Sequence, residues 1–217
     1  LTLKDLLIQG TKELGVSISN SQSDLFMSYL KNLKIWNDRI NLTAIKDDRG
    51  IILNHFIDSL SAAAFVEDRK KLLDLGSGGG FPGIPLKIVR PELDVTLLDS
   101  VNKKVSFLND TLRKLQLKNI HAIWARAEDV NNKIQRNYYD YVITRAVGCF
   151  DEIINLCSPY LTEDGVMILM RGKLGISEWN EYEKRNLGVV KLLGSKEFEL
   201  PFSDQKRSIF VLKPIGQ

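Results

Sequence analysis

Cysteine is scarce in this chain, with two in 217 residues. Cys149 and Cys157 stand eight positions apart with no second pair, which argues against a zinc site and against a disulfide framework. Both read as reduced, packed thiols, and no metal is expected. Long apolar runs are missing too, and Lys4 and Asp5 stand where a signal peptide would carry its apolar core. The expectation is a cytoplasmic protein with no membrane partner. Charge of one sign is not in large excess, because 30 Lys and Arg face 27 Asp and Glu for a net charge of +3. Such a balance permits an anionic partner without demanding one, since docking depends on clustering rather than on the total. No internal repeat or low-complexity tract is present. The length suffices for a full core, as one large domain or as a medium domain with an extension.

What stands out is the stretch from Leu72 to Pro85, where a short apolar run ends in Asp74-Leu75, passes through Gly76, Gly78, Gly79 and Gly80, and restarts after Phe81. It reads as strand, tight loop and helix, with Pro82 as the first helical residue. Glycines there let the backbone approach a ligand, and the first N–H groups of the helix are expected to be free for an anionic group. A dinucleotide fingerprint fits Gly78, Gly80 and Gly83 only with Gly76 and Ser77 intervening after the strand. Asp74 separates the two ligand classes. A carboxylate under the loop repels a pyrophosphate but suits a ligand carrying an ammonium and a sulfonium, such as S-adenosylmethionine. The next strand, Val95 to Asp99, ends in a second acid twenty-five positions after Asp74, placed to hold a ribose diol. Both cofactors contain that ribose, so Asp99 does not choose between them.

The first sixty-odd residues read as helical. Thr2 and Asp5 resemble a capping pair, Ser21 or Ser23 is the expected cap of the next helix, and Leu25, Phe26, Tyr29, Leu30, Leu33, Trp36 and Ile40 form an apolar stripe. A further helical run carries Ile51, Ile52, His55, Phe56 and Leu60. The charge run beginning near Val66 sets the expected boundary, with a helical N-terminal extension over 1–66 and a second domain over 67–217. From Lys71 onward strands alternate with helices, which implies parallel strands joined by crossovers. Strands are expected at 120–124, 139–144, 166–170 after a turn at 163–165, 196–200 and 208–212, the last two as an antiparallel pair. The lysine-rich runs at 69–71 and 103–104 read as solvated faces, and Trp36, Trp124 and Trp179 as packing residues. His55 has two readings, a polar residue completing a helix contact or a substrate-side group at the domain junction. Arg145 ends a central strand on the side where open α/β sheets bind ligands.

Seven strands with a glycine turn after the first, an acid after the second and a closing antiparallel pair describe an α/β methyltransferase sheet of Rossmann type. Within that frame the chain resembles the bacterial small-subunit (16S) ribosomal RNA guanine-N7 methyltransferases, the glucose-inhibited division protein B family. The resemblance spans nearly the whole length and is carried by Trp36-Asn37 with Asn41-Leu42-Thr43, His55 with Asp58-Ser59, Asp74 to Pro85, Leu97 to Ser100, Arg126-Ala127-Glu128 and Thr144-Arg145-Ala146. It implies S-adenosylmethionine binding by Asp74, Gly76, Gly78, Gly80, Phe81, Asp99 and Ser100, with Ala127 and Glu128 near the adenine and Arg145 beside the cofactor. It also implies a small-subunit ribosomal RNA partner, met free or in an assembling or assembled 30S particle, with His55, Arg171 and Lys173 as RNA-binding candidates. Where the family often has lysine before the glycine that follows the fifth strand, this chain has Arg171-Gly172-Lys173, and Arg and Lys are not interchangeable at a geometric site.

The chemistry of that target fits the residues independently. Guanine N7 has a free lone pair and a sulfonium methyl is already activated, so alignment and exclusion of water matter more than a base or nucleophile. The Asn/Asp-Pro-Pro-aromatic run used on exocyclic amines is missing, since Thr144-Arg145-Ala146-Val147 occupies its place. Arg145 is therefore expected to position rather than to move a proton. Two other readings stay open, a small-molecule methyltransferase and a non-catalytic dinucleotide-binding module.

Overall fold

In a computed structural model, residues 1–129, 134–145, 147–186 and 188–215 are described. Ala146, part of one of the motifs above, lies outside them. Helices α1 (Leu3–Glu13) and α2 (Asn20–Ile40) open the chain. Thr2 and Asp5 form a reciprocal capping box on α1, as the spacing anticipates. The cap of α2 is Ser19, not Ser21 or Ser23, and Ser19 forms a reciprocal capping box with Gln22 three residues on. A continuous helical stretch follows as α3 (Asp48–Ile51), a π-helical turn at Ile52–Ile57 and α4 (Asp58–Leu60).

The sheet then begins with β1 (Lys71–Leu75), α5 (Gly83–Val89), β2 (Asp94–Asp99), α6 (Asn102–Lys114) and β3 (Ile120–Trp124). After β3 the chain crosses to the other side of β1 for β4 (Tyr139–Arg145), α7 (Phe150–Cys157), β5 (Leu161–Arg171), α8 (Gly175–Arg185), β6 (Val190–Glu199) and β7 (Lys206–Pro214). The strand order is β3-β2-β1-β4-β5-β7-β6, with only β7 antiparallel to its neighbours. The expected seven-stranded sheet is therefore present. Its details differ where pattern is weak. The turn expected at 163–165 lies inside β5, whose pairing with β4 is irregular near Tyr139 and Tyr141, and α8 had no counterpart in the sequence reading.

Successive strand residues point to opposite faces, and each face has its own core. Leu72, Leu97, Ile143 and Ile168 pack with Leu6, Leu7, Phe26, Tyr29, Leu33 and Phe56, so the N-terminal helices share one cluster with the sheet. Leu73, Val142, Met167 and Phe210 pack on the other face with Phe150, Ile153 and Trp179 from α7 and α8. Polar ties reinforce the first face, with Asn32 Nδ2 donating to Thr111 Oγ1 (2.9 Å) and Trp36 Nε1 to Asp110 Oδ2 (2.9 Å), both across α2 and α6. Two expectations about packing need correction. Cys157 is buried but Cys149 is exposed, because Cys149 caps α7 from outside the core. Trp124 is exposed as well, at the end of the edge strand β3, where no further strand covers it. Among the described residues, no helix is long and apolar enough to cross a membrane.

Candidate active site

The chain reverses direction across the sheet between β1 and β4, and ligands of open α/β sheets bind in the crevice outside the carboxyl ends of strands at such a point. At the end of β1, Gly76 adopts a φ of +78°, and the N–H groups of Gly76 and Ser77 both donate to the Leu98 carbonyl (2.9 Å each). The loop is thereby folded over β2. Asp74 lies beneath it, fully buried, with Oδ2 accepting from Gly83 N–H (2.9 Å). Two features differ from the expectation drawn from the glycine-rich stretch. The helix starts at Gly83 with Pro82 as its cap, and its first N–H is taken by Asp74 instead of being left for an anion. An orphan helical N–H above a strand-terminal carboxylate draws that carboxylate inward. Its Oδ1 has no hydrogen-bond partner among the described residues, and burial pushes the Asp74 carboxyl up to about 7 against the opposing pull of the Gly83 N–H.

Gly80 closes the loop against the helical layer. Its φ is +88°, and a Cβ there would sit 2.6 Å from Tyr29 Oη and 2.5 Å from Ile84 Cδ1, while the Tyr29 hydroxyl donates to the Gly79 carbonyl. Gly80→Ala is expected to cost about 1–3 kcal/mol in urea unfolding, from backbone strain and overpacking together. An unchanged midpoint would mean that the loop is not held against α2.

In front of the loop lies a cavity of about 380 Å³ whose wall includes Gly76, Asp99, Ser100, Ala127 and Glu128, with Leu75, Leu98, Val147 and Leu156 as apolar surface. Asp99 is fixed by two backbone donors, Gly78 N–H to Oδ2 and Val101 N–H to Oδ1 (2.8 Å each). A carboxylate has further lone-pair capacity beyond those two bonds, so it remains an acceptor for a ligand hydroxyl.

A second recess, about 490 Å³, opens at the carboxyl ends of β4 and β5 and is lined by Asn54, His55, Asp58, Arg145, Arg171 and Arg207 among others. At its floor Asp58, only 5% exposed, bridges two arginines. Its Oδ2 accepts from Arg145 Nη1 (3.2 Å) and its Oδ1 from Arg207 Nε (3.1 Å). Arg145 also donates to the Asn54 carbonyl (2.9 Å) and to His55 Nδ1 (3.1 Å), and its guanidinium lies 5.1 Å from the Phe81 ring centre. The π-helical turn supplies Asn54 and His55, an irregularity of the kind that gathers at functional sites.

These contacts determine the state of His55. Arginine only donates, so Nδ1 must be the acceptor, and Nε2 carries the proton that it shares with Thr43 Oγ1 (2.7 Å). Burial and then the Arg145 charge hold the imidazole down to about 3. His55, stacked on Phe81 at 4.6 Å, is a neutral, pre-aligned ring. Its proton-NMR signal, assigned with His55→Gln, is expected to show no titration between about pH 5 and 9. In the unfolded chain the ring takes up its proton near pH 6.5, so this group's contribution to stability is complete above 6.5 and is lost as pH falls toward about 3. A titration midpoint near 6.5 in the folded chain would break the assignment.

Arg171, in the recess wall, donates Nη1 to the carbonyls of Val147 (3.1 Å) and Gly148 (2.6 Å), with its guanidinium 4.7 Å from the Phe150 ring centre. Burial pulls its pKa below the usual arginine value. Lys173 is exposed and stands outside the recess wall.

The family described as rRNA small subunit methyltransferase G matches residues 22–209. The chain belongs to this family. Curated relatives of that description include one from Acetivibrio thermocellus, 43% identical over all of this chain and 90% of its own length, and one from Desulforamulus reducens, 40% identical over the same shares. Solved structures share the fold at low identity. A SAM dependent methyltransferase from Aquifex aeolicus aligns with a TM-score of 0.60 at 15% identity, covering 79% of this chain and 96% of that one. M. jannaschii TYW2, solved in complex with AdoMet, aligns at 0.56 and 17% identity, covering 74% and 76%.

The residues singled out from sequence separate into three groups, with Lys173 apart from all of them. Gly76, Asp99, Ser100, Ala127 and Glu128 share the first cavity, and His55, Arg145 and Arg171 share the recess. Asp74, Gly78, Gly80 and Phe81 stand outside the lining of both, the last three in the loop after β1 and Asp74 beneath it in the strand. Arg207 escaped the sequence reading. It belongs to β7 and pairs with Asp58 from 149 positions away, and nothing local marks it among the neighbouring charges. Among the described residues, no cluster of three or more His, Cys, Asp or Glu could hold a metal.

Proposed function

We propose that this chain transfers the methyl group of S-adenosylmethionine to N7 of a guanine in small-subunit ribosomal RNA, in the cytoplasm and without a metal. The observation that carries this reading is a pair of sites at the carboxyl ends of the strands, a nucleoside-sized cavity lined by Asp99 and an arginine-lined recess holding Arg145. The cavity fits the methyl donor. Its volume lies in the range of cofactor pockets, its apolar walls suit an adenine, and a Cβ at Gly76 would meet Val147 Cγ2 at 3.3 Å, so glycine avoids crowding this part of the cavity wall.

When bound, S-adenosylmethionine supplies a methyl that is already electrophilic. The chain's residues orient and shield. Asp99 and Ser100 hold the ribose end, Ala127 and Glu128 bound the adenine, and the loop from Gly76 to Phe81 closes over the methionine end. Asp74 acts through its field from below the loop, where a nearby cation favours its ionised form. Arg145 and neutral His55 position the guanine, with Arg207 and Arg171 drawing the phosphate backbone and Lys173 at the outer rim. Neutral His55 has no accessible lone pair, and N7 needs no base.

The three arginines lining the open recess favour an anionic RNA over a small apolar substrate, and the capped start of α5 disfavours a dinucleotide pyrophosphate. Mass spectrometry of small-subunit RNA from cells lacking the protein tests the reading. One N7-methylguanosine should vanish and return when the purified chain acts on deproteinised RNA or on isolated small subunits. Unchanged RNA methylation, or tight NAD binding without S-adenosylmethionine binding, overturns it.

A further inference from the structure

Trp124 is 60% exposed, yet its indole is not free to move. Its Nε1 donates to the Ser100 carbonyl (3.0 Å), so its one polar group is already satisfied and the surface left to water is aromatic carbon. Val101 beside it is 43% exposed. Ser100 belongs to the cofactor cavity wall, and Val101 caps α6, whose first turn holds Lys103 and Lys104 and no acid. An aromatic face held to the Ser100 carbonyl, with two lysines a few positions further on at the start of α6, combines the elements by which proteins hold unpaired nucleotides, bases stacking on the ring and phosphates meeting the lysines.

The placement is also suited to the proposed reaction. Trp124 ends β3 and Arg145 ends β4, and the two strands are separated by β2 and β1 on the same edge of the sheet. Three strand spacings amount to about 14 Å, a span covered by a few nucleotides of single strand.

We propose that Trp124 is a stacking platform for an unpaired base of the ribosomal RNA a few nucleotides from the methylated guanine, with Lys103 and Lys104 receiving the adjacent phosphates. This inference rests on the RNA-methyltransferase reading above. The lysines favour RNA over a protein of the small subunit as the occupant of this surface.

The test uses the full chain with saturating cofactor and deproteinised small-subunit RNA. Trp124→Ala is expected to raise the KM for RNA by about 5–100-fold with kcat and cofactor affinity unchanged. Trp124→Tyr should restore most of the loss and Trp124→Leu should not, because stacking needs a π face. With S-adenosylhomocysteine bound, a short single-stranded oligoribonucleotide should quench tryptophan emission in the parent chain and much less in Trp124→Phe. Lys103→Ala with Lys104→Ala should flatten the salt dependence of RNA binding. An unchanged KM in Trp124→Ala overturns the platform. So does a loss confined to cofactor affinity, which would place the indole in the cofactor site, or a loss seen only with intact subunits, which would make it a protein contact. Absence of methylation by the parent chain would strike the proposed function instead.

Discussion

Arg145→Ala is expected to lower the saturated rate of methyl transfer by roughly 10–1,000-fold, comparable to losing one preorganised donor. Arg145 ties three elements together, since it leaves the end of β4 and donates to Asn54 and His55 of the π-helical turn and to Asp58 of α4. Removing it frees His55 Nδ1 and leaves buried Asp58 with Arg207 as its one remaining arginine partner among the described residues. Lysine should restore little, because a point charge cannot serve three acceptors in one plane. Asp58→Asn tests the same assembly from the other side. It keeps the shape and removes the charge that aligns both arginines, so a smaller loss of rate is expected. Single-turnover measurements decide the role. A lower rate at saturating RNA, nearly flat across neutral pH, supports positioning, whereas an unchanged saturated rate with weaker RNA binding assigns Arg145 to docking. A steep single-proton rise abolished by replacing one nearby residue would show that the reaction needs a base, and N7 would no longer be the acceptor.

Asp99→Ala is expected to weaken S-adenosylmethionine and S-adenosylhomocysteine alike by about 1–3 kcal/mol, some 5–150-fold in Kd by calorimetry. Two effects act together. The ribose loses a charged acceptor, and the N–H groups of Gly78 and Val101 lose the carboxylate that holds the loop and the start of α6 in place. Asp99→Asn retains one acceptor oxygen, so its affinity should fall between the parent and the alanine variant. Equal affinity in all three proteins would remove Asp99 from the cofactor site.

The hydrogen-bond path through the recess gives a physical reason for motif residues that look unrelated in sequence. Asn37 grips the backbone of Thr43 through both its amide groups (2.8 and 3.0 Å), Thr43 Oγ1 meets His55, His55 meets Arg145, and Asp58 joins Arg145 to Arg207. Asn37 and Thr43 therefore act on the site without lining it, by holding the histidine ring in one orientation while Arg145 selects its tautomer. The helical N-terminal segment is in this sense part of the site, and its buried side chains belong to the same core as the sheet.

The sequence alone determined what depends on short-range periodicity and chemistry. Alternating apolar segments specified strands and crossovers, and the cluster from Gly76 to Gly80 specified a tight turn between β1 and α5. Weak pattern misplaced what it could not resolve, such as the start of β6 and the cap of α2. Tertiary structure alone decided where each polar group finds its partner. Asp74 turned inward to cap α5, Arg207 came from the far end of the chain to share Asp58, and His55 was made neutral by burial and a neighbouring guanidinium. Trp124 emerged at an open sheet edge, although tryptophan ordinarily packs inside. A buried charge takes whichever partner the packed elements bring within hydrogen-bond reach, and that distance is set by strand order and helix placement rather than by separation along the chain.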